Sequence, residues 1–397
     1  MITTINNKHK KLNVPNLRFP EFQGEWISKT IGDIAPLQRG FDLPTGQICN
    51  GKIPVVYSNG IMNHHSSYKC VAPGLVTGRS GTIGKFTYIK DGYYWPHNTS
   101  LWVTDFHGNN PKFIYYLYQT IHIGQYSTGS GVPTLNRNDV HRHKTFIPKL
   151  EEQKKIATFL SLLDERIATQ NKIIEDLKKL KSAIIEKVFC SPNKKNPMCR
   201  IEGFEQALST YKMSDFSSRI ATKNKDSKCS LVLTIAAQYG LVNQESFFNK
   251  SVASENLTGY YLLHKGEFAY NRSYSAGYDW GAVKRLDNYD EGVLSTLYIC
   301  FKINETIVDS DYLTYYFEST KWHRGLSDIA GEGARNHGLL NVSITDYFNT
   351  KHRFPVIEEQ KAIAKMLNTI TEKERKATLL GECYQKQKQY LLRQMFI

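Results

Sequence analysis

A glycine-rich stretch at residues 81–85 (GTIGK) has the residue types of a loop that cradles phosphates. Such loops need a fixed spacing between their glycines, and a Ser or Thr after the lysine to hold magnesium. Here the spacing from Gly78 to Gly84 is one residue too long, and Phe86 follows the lysine. The stretch therefore does not predict a nucleotide site.

Other catalytic patterns are also incomplete. Residues 129–131 (GSG) and 331–333 (GEG) lack the third glycine of a dinucleotide-binding loop and favour turns. Residues 152–154 (EQK) match half of a nuclease motif, but no Pro-Asp pair precedes them. The histidine clusters at 64–65 and 141–143 lack carboxylates or thiols at metal-ligand spacing. Together with the missing serine-hydrolase elbow and amino-methyltransferase tetrapeptide, these patterns predict no catalytic centre and no metal site.

The chain is organised around a long segment that occurs twice. Residues 148–189 and 355–396 align without a gap at a constant offset of 207, and both open with Pro-x-x-Glu-Glu-Gln-Lys-x-Ile-Ala. In the first copy, two interleaved sets of residues repeat every seven positions, and eight of these ten positions are apolar, which is typical of a coiled-coil seam. The seam consists of Ile156, Leu160, Leu163, Ile167, Gln170, Ile174, Leu177, Lys181, Ile184 and Val188.

Each copy predicts a helix of about 39 residues, which would be roughly 58 Å long. The acidic pair near the start of each copy suits the positive end of a helix dipole. A helix of this length cannot bury its apolar stripe alone, so the second copy is the expected partner, parallel or antiparallel, with pseudo-twofold symmetry. The residues expected at the helix–helix or partner contacts are Ile156, Leu160, Leu163, Ile167, Ile174, Leu177, Ile184, Ile363, Leu367, Ile370, Leu391 and Met395.

The second copy departs from the seven-residue pattern in its middle. Glu374, Gly381 and Lys388 stand at seam positions, while Leu379 and Leu380 form an apolar patch out of register. This pattern predicts a stutter or a kink near Gly381. Two shorter helices are the alternative.

The composition indicates several domains and a basic surface. The chain has 397 residues, 41% of them hydrophobic, and a net charge of +14. Residues 1–18 carry +4, 19–150 carry +5, 151–189 carry +1, 190–353 carry +1 and 354–397 carry +3. This excess favours a polyanion partner, and a basic protein without such a partner is the alternative.

The cysteines and the N-terminus bear on the compartment. Seven cysteines occur without a Cys-x-x-Cys pair, which indicates reduced thiols. The N-terminus lacks the apolar region of a signal peptide, and no run of about 18 apolar residues predicts a membrane span. We therefore expect a cytosolic protein.

The domain organisation follows from the repeat. We expect a basic arm at 1–18, a first domain at 19–148, a first helix at 149–190, a second domain at 191–353 that includes a linker at 190–200, and a second helix at 354–397. Strand-like runs at 53–57, 75–77, 86–89 and 101–104 and a helix at 113–119 are expected in the first domain. The second domain echoes the first: residues 211–216 match 29–34, and 272–273 match 79–80. The repeated unit is thus a domain plus a helix.

Two variable globular halves, each followed by the same long helix, resemble the specificity subunits of type I restriction–modification enzymes. Residues 16–26 (NLRFPEFQGEW) look like the opening of that family, and residues 76–84 (VTGRSGTIG) are similar to a segment of its recognition domains. The Glu-Glu-Gln-Lys helices match its conserved spacer regions. The resemblance covers nearly the whole chain and rests on the order and duplication of these motifs.

The resemblance implies an α+β fold in which two globular target recognition domains are separated by two long antiparallel helices. Each domain would read one half of a bipartite target in double-stranded DNA. The helices would set the spacer and dock two methyltransferase subunits, and motor–nuclease subunits would complete the complex. This chain would be non-catalytic and cytoplasmic, in a bacterium or archaeon, with S-adenosylmethionine, ATP and magnesium held by the partner subunits.

Polar and basic residues in turns are the candidates for DNA contacts, because Arg, Lys, Asn, Gln, Ser and Thr read base edges or hold phosphates. The candidates are Arg39, Arg79, Ser80, Lys85, Asn98, Asn136, Arg137 and Asn138 in the first domain, and Lys223, Lys225, Asn271, Arg272, Tyr274, Arg335, Asn336 and His337 in the second. Because residues 190–353 are almost neutral, a local basic cluster is expected there, formed by Lys194, Lys195, Arg200, Lys212, Arg219, Lys223, Lys225 and Lys228. Any of these residues could instead be a solvated surface residue or an internal hydrogen-bonder.

Two other functions compete with DNA recognition. A coiled-coil scaffold whose globular heads bind proteins would have the same repeat, but its binding would depend weakly on salt, whereas DNA binding weakens steeply through counterion release. An autonomous DNA enzyme would need a catalytic or cofactor motif, which the sequence does not provide.

Overall fold

The computed structural model describes residues 13–128, 133–249, 256–273, 277–329, 340 and 342–397. The chain forms two compact units. The first consists of Met1–Asn171 and Leu379–Ile397, and the second of Lys172–Thr378. Both unit boundaries fall inside long helices, so each long helix contributes one part to each unit.

The globular part of the first unit is built mainly from short strands. Its strands are β1 (Ile27–Thr30), β2 (Leu37–Arg39), β3 (Ile53–Tyr57), β4 (Gly60–His65), β5 (Cys70–Val71), β6 (Gly74–Gly78), β7 (Phe86–Ile89), β8 (Tyr93–Pro96), β9 (Ser100–Val103), β10 (Ser127–Thr128), β11 (Thr134–Leu135) and β12 (Lys144–Ile147). Its helices are α1 (Ile31–Ile34), α2 (Pro111–Thr120) and α3 (Arg137–His141). The strands predicted at 53–57, 75–77, 86–89 and 101–104 and the helix predicted at 113–119 are confirmed.

Two four-stranded sheets form the body of this part, in the orders β2-β9-β6-β7 and β4-β3-β8-β5. Helix α2 begins where the side chain of Asn110 accepts a hydrogen bond from the Phe113 amide, with Pro111 in the first turn. Its tyrosine-rich face is buried: Tyr116 and Tyr118 are 0% exposed. These rings are part of the hydrophobic core of the first unit.

The first long helix follows, and then a second globular part with the same plan. The helix is α4 (Leu150–Val188). The second part contains β13 (Ser209–Lys212), β14 (Ser217–Arg219), β15 (Leu233–Ala236), β16 (Gly240–Asn243), β17 (Tyr261–His264), β18 (Phe268–Asn271), β19 (Ala282–Arg285), β20 (Glu291–Leu294), β21 (Ile299–Ile303) and β22 (Lys351–Phe354). Its helices are α5 (Met213–Phe216), α6 (Gln244–Phe248), α7 (Ser310–Tyr316), α8 (His323–Ser327) and α9 (Ile344–Asn349), and the second long helix is α10 (Ile357–Met395).

The two globular parts share one sheet order, whereas the sheet β4-β3-β8-β5 has no four-stranded counterpart among the described strands of the second part, where β15-β16 and β17-β20 are separate pairs. The sheet β14-β21-β18-β19 repeats the order of β2-β9-β6-β7. In each unit a short strand before a one-turn helix pairs with the strand that precedes the long helix: β1 with β12, and β13 with β22. The duplication predicted from the sequence thus extends into the globular part, although the offset at the front of the two parts is 182 rather than 207.

Both long helices are continuous over 39 residues. Gly381 lies inside α10, so the alternative of two shorter helices is wrong. The twelve residues predicted at the helix–helix or partner contacts are all buried or partly buried. In the first unit Ile156, Leu160 and Leu391 belong to one core with Trp26, and in the second unit Ile363 and Leu367 belong to another core.

Within the first unit the two long helices run antiparallel. The ammonium of Lys388 lies 2.7 Å from the carboxylate of Asp164, while Arg166, further along α4, lies over the ring of Tyr384, which is earlier in α10. In the second unit Lys181 lies 3.3 Å from Glu374. The charged residues that interrupt the seam, Lys181, Glu374 and Lys388, are therefore paired with charges on the other helix, and this explains why an apolar pattern alone did not account for them.

Candidate nucleic-acid interface

In the first unit, three loops meet at the edge of the sheet where β6 ends. The Arg79 amide donates to the Thr99 carbonyl at 2.9 Å, and the Leu135 amide donates to the Arg79 carbonyl at 2.7 Å. Ser80 forms a bridge with Thr134. The segments around residues 79, 98 and 135, which are far apart in the sequence, are thus joined through their backbones. We call this edge, residues 39–42, 57–59, 79–85, 97–99 and 133–138, the first loop edge.

The glycine-rich stretch belongs to this edge and leads into strand β7 rather than into a helix. Gly81 and Gly84 have φ values of +75° and +84°, which other residues rarely adopt. Lys85 is exposed, and its ammonium donates to the Asn59 carbonyl at 2.9 Å. A phosphate-cradling loop opens a helix whose N-terminus faces the phosphates, so this turn is not such a site.

The remaining first-domain candidates lie along the same edge. Asn136 caps α3, its side chain accepting from the Asn138 amide at 3.0 Å, and Asn136, Arg137 and Asn138 are exposed. Arg79 is partly exposed. Among the residues that the structure describes, no hydrogen bond or ion pair engages its guanidinium. The structure therefore brings the first-domain candidates together on one surface.

Arg39 and Asn98 share one partner at this edge. The guanidinium of Arg39 lies 3.0 Å from the Asp42 carboxylate. The side-chain amide of Asn98 donates to the same carboxylate oxygen. Asp42 was not predicted from the sequence, where an acidic residue in a basic surface carries no signal for DNA binding.

Tyr57 and His97 also lie at this edge and were missed. Their rings are 4.2 Å apart, and the His97 ring contacts the Thr99 hydroxyl at 3.0 Å. Burial lowers the pKa of His97, which favours the neutral ring. The only signal in the sequence was adjacency, since His97 precedes Asn98 and Tyr57 ends a predicted strand.

The equivalent edge of the second unit uses its arginine differently. The Leu340 amide donates to the Arg272 carbonyl at 2.9 Å, as Leu135 does to Arg79. However, the Arg272 guanidinium donates to the carbonyls of Leu297 and Val342, both at 3.1 Å. This is the internal hydrogen-bonding role that the sequence left open for each candidate. A base contact by Arg272 remains a prediction.

Two basic residues of the second domain contact Tyr261. The ammonium of Lys223 lies 4.0 Å from the Tyr261 ring centroid, and Arg219 donates to the Tyr261 hydroxyl at 3.0 Å. Arg219 ends β14 and pairs with Phe301 on β21. Lys225 is exposed nearby in the sequence, and Asn271, at the end of β18, accepts from the Ser273 amide. We call Arg219, Lys223 and Tyr261 the second loop edge.

Some predicted residues cannot be placed on either edge. Tyr274, Arg335, Asn336 and His337 lie outside the described residues, as do both glycine pairs at 129–131 and 331–333. Arg200 was expected in a basic surface cluster, and this expectation is wrong. Its guanidinium binds the Glu359 carboxylate, which is 2% exposed, because the side chain is needed to neutralise a buried charge.

That ion pair shows what the Glu-Glu-Gln-Lys motif does. In the first unit, the Arg18 guanidinium donates to both oxygens of the Glu152 carboxylate at 2.8 Å, and the Trp26 indole also donates to it at 3.3 Å. The following glutamine, Gln153, bonds the Asn110 amide and the Pro148 carbonyl. The motif therefore fastens the start of the helix to its own globular part, a function unrelated to the nuclease motif.

The second copy makes the same contacts. Gln360 accepts from the Asp309 amide at 2.9 Å and donates to the Pro355 carbonyl at 2.9 Å, as Gln153 does one repeat earlier. Tyrosines equivalent to each other, Tyr116 and Tyr315, donate to side chains of the adjacent long helix. The conserved part of the duplication is thus the anchor between domain and helix, and the loop edges are its variable part.

Comparisons with known proteins agree with this arrangement. Residues 23–179 match the family model of the type I restriction modification DNA specificity domain. The chain is 27% identical over 263 residues to the type I restriction enzyme MjaVIII specificity subunit of Methanocaldococcus jannaschii. Residues 23–179 therefore form a DNA specificity domain of the type I restriction–modification family. The aligned part covers 61% of this chain and 58% of that relative.

Solved structures from type I restriction–modification systems share the fold. The S subunit of a type I restriction–modification system from M. genitalium matches with a TM-score of 0.61 and 15% identity, over 97% of this chain and 99% of that one. A chain from a structure on complex assembly and conformational transition of the type I R-M system matches with a TM-score of 0.51 and 14% identity, over 92% and 96%. The predicted α+β fold with a duplicated half is confirmed. None of the helices among the described residues has the length and apolar character to span a membrane.

Proposed function

We propose that this specificity subunit reads a bipartite target in double-stranded DNA, one half with each loop edge. The observation that carries the proposal is that each of the two duplicated units presents basic or amide side chains together at loops and strand ends: Arg79, Asn98 and Asn136 in the first, Arg219 and Lys223 in the second. Such side chains read base edges and hold phosphates. The two edges differ in residues, which suits two different half-sites.

The long helices are proposed to set the spacer between the half-sites. Each globular part is fastened to the start of its own helix by a buried carboxylate–guanidinium pair, Glu152 with Arg18 and Glu359 with Arg200. A rigid helix with a rigid anchor fixes the distance between the parts that it joins, whereas a flexible linker leaves that distance variable.

The outer face of the first helix is proposed to dock methyltransferase subunits. Phe159, Leu162, Ile173 and Leu180 on α4 are 39%, 60%, 44% and 49% exposed, although large apolar residues on a charged helix normally face a core. On this proposal, the partner subunits hold S-adenosylmethionine, ATP and magnesium and carry out methylation and cleavage. This chain then selects the site without forming or breaking bonds.

The experiment that tests the function is methylome sequencing of cells that express this chain with its cognate methyltransferase, against cells that lack the chain. The expected result is a new split motif with a fixed spacer, methylated on adenine in both halves. If no new methylation appears while the methyltransferase is present and bound, the chain is a protein-binding scaffold instead. In that case its binding will also show weak salt dependence.

Lengthening both helices is expected to lengthen the spacer. One heptad inserted after Asn171 and another after Thr378 lie at equivalent positions of the two repeats. Seven residues add about 10.5 Å of helix, or roughly 3 base pairs of DNA. Methylome sequencing should show the same two half-sites with a longer spacer. Seven residues inserted instead into the segment 190–200 are the control, and they should leave the spacer unchanged. An unchanged spacer in the helix variant would contradict the proposal.

Arg79→Ala is expected to relax one base position in the first half-site. The guanidinium lies on the first loop edge without a partner among the described residues, so it is free to bind a guanine edge. Loss of a bidentate contact costs about 1–3 kcal/mol of discrimination. Competition binding with base-substituted duplexes measures the loss. Equal weakening on every duplex would instead identify Arg79 as a phosphate contact.

A further inference from the structure

An acidic side chain lies among the polar residues of the first loop edge. Asp42 is 67% exposed, on a surface that is proposed to approach polyanionic DNA. An unpaired carboxylate there would repel phosphates. The geometry points to Asp42 as a positioning residue that orients Arg39 and Asn98 toward the bases of the first half-site. This inference rests on the proposed function and deepens it.

The backbone fixes Asp42 relative to Asn98. The Gly40 amide donates to the Ser100 carbonyl at 3.0 Å and the Phe41 amide to the Pro96 carbonyl at 2.8 Å. A Cβ at position 40 would stand 2.2 Å from the His97 carbonyl oxygen, so only glycine allows the two segments to lie this close. The loop that carries Asp42 is therefore held against the loop that carries Asn98 by main-chain contacts.

One carboxylate oxygen of Asp42 then binds both candidate readers. It accepts from Arg39 at 3.0 Å and from the Asn98 side-chain amide. A guanidinium has five N–H donors, so the donors that Asp42 leaves unused can still bind the O6 and N7 atoms of a guanine. The Asn98 amide likewise keeps its oxygen and one N–H, which is the set that binds an adenine edge.

Because Asp42 holds these side chains before DNA binds, less side-chain conformational entropy is lost on binding. A free arginine side chain has many rotamers and can contact a phosphate as readily as a base. Two readers tied to one carboxylate are instead restricted to neighbouring base positions. Asp42 thus acts on specificity through Arg39 and Asn98, without touching DNA itself.

The test compares Asp42→Ala with Asp105→Ala in the complex with the methyltransferase subunits. Asp105 is an exposed acid of the same domain whose carboxylate bonds the His107 amide, away from Arg39 and Asn98. Methylome sequencing and competition binding with single-base variants are the readouts. Asp42→Ala should reduce discrimination about tenfold at one or two adjacent base pairs of the first half-site. The second half-site and the spacer should not change, and affinity for non-target DNA should not fall. Asp105→Ala should leave the motif intact.

Three results would overturn the inference. The first is an unchanged motif in Asp42→Ala. The second is a switch to a different base, which would mean that Asp42 reads the base itself. The third is a loss of binding to all sequences, which would mean a structural role. In an Arg39→Ala/Asn98→Ala background, adding Asp42→Ala should have no further effect on discrimination, because its partners are gone. Failure of the proposed function is distinguishable, since the wild-type chain would then produce no methylated motif.

Discussion

Glu152→Ala is expected to destabilise the first unit by about 3–5 kcal/mol. The Glu152 carboxylate is 3% exposed, and both of its oxygens accept from the Arg18 guanidinium at 2.8 Å. Alanine would leave that guanidinium, which is only 16% exposed, without its counter-charge, and would leave the Trp26 indole N–H without an acceptor. Removing one member of a buried ion pair costs more free energy of folding than the intact pair contributes, because the remaining charge stays desolvated.

The neighbouring residue provides a matched control. Glu151 is in the same helical turn, but its carboxylate is 74% exposed and pairs with Lys154 at 2.9 Å on the surface. Exposed pairs of this kind contribute at most about 1 kcal/mol, so Glu151→Ala should change stability little. Hydrogen exchange of the backbone amides in β1 and α1, which follow Trp26, measures the local free energy of opening. Equal exchange in the two variants would show that the anchor contributes nothing.

Glu359→Ala should give the same result in the second unit, because Arg200 binds Glu359 as Arg18 binds Glu152. The duplication thus supplies an internal replicate. The Glu-Glu-Gln-Lys motif occurs in both repeats at the place where a buried carboxylate and a glutamine fasten the start of the helix to the globular part.

The sequence indicated the long helices because their signal is local. Seven-residue spacing and an acidic start are properties of neighbouring residues, and both helices were found. The interruptions of the seam could not be interpreted in the same way. Lys388 and Glu374 look like defects until their partners, Asp164 and Lys181, are known, and those partners are about 200 residues away.

The same reasoning explains the loop edges. Arg79 and Arg272 were recognised as equivalent, and both follow the corresponding strand of their sheet. Their different surroundings could not be predicted, since the carbonyls that hold Arg272 belong to residues 25 and 70 positions away. Every residue has a backbone carbonyl, so the sequence does not show which carbonyl an arginine side chain will bind. An arginine that is hydrogen-bonded inside the protein and one that is not look the same in the sequence.

Arg272→Ala is therefore expected to destabilise the second unit by about 3 kcal/mol, since hydrogen bonds made by a charged donor contribute about 1.5–3 kcal/mol each. Two carbonyls, those of Leu297 and Val342, would lose a donor, and the loop before β21 would lose its connection to the segment before α9. Arg272→Lys should recover less than half of the loss, because one ammonium cannot reproduce a planar fork that reaches two acceptors.

Arg79→Ala is the matched control for this prediction. It removes the same side chain from the equivalent place, but no described residue depends on its guanidinium. Its stability should stay within about 0.5 kcal/mol of the wild type. Hydrogen exchange in β18 and β21, against β6 and β9 for the control, separates the two effects. If Arg79→Ala and Arg272→Ala destabilise their units equally, the division between a reading arginine and a structural arginine is wrong. If only Arg272→Ala does, the position is structural in the second unit alone, and on the proposed function the contacts to the second half-site are expected at Arg219, Lys223 and their neighbours.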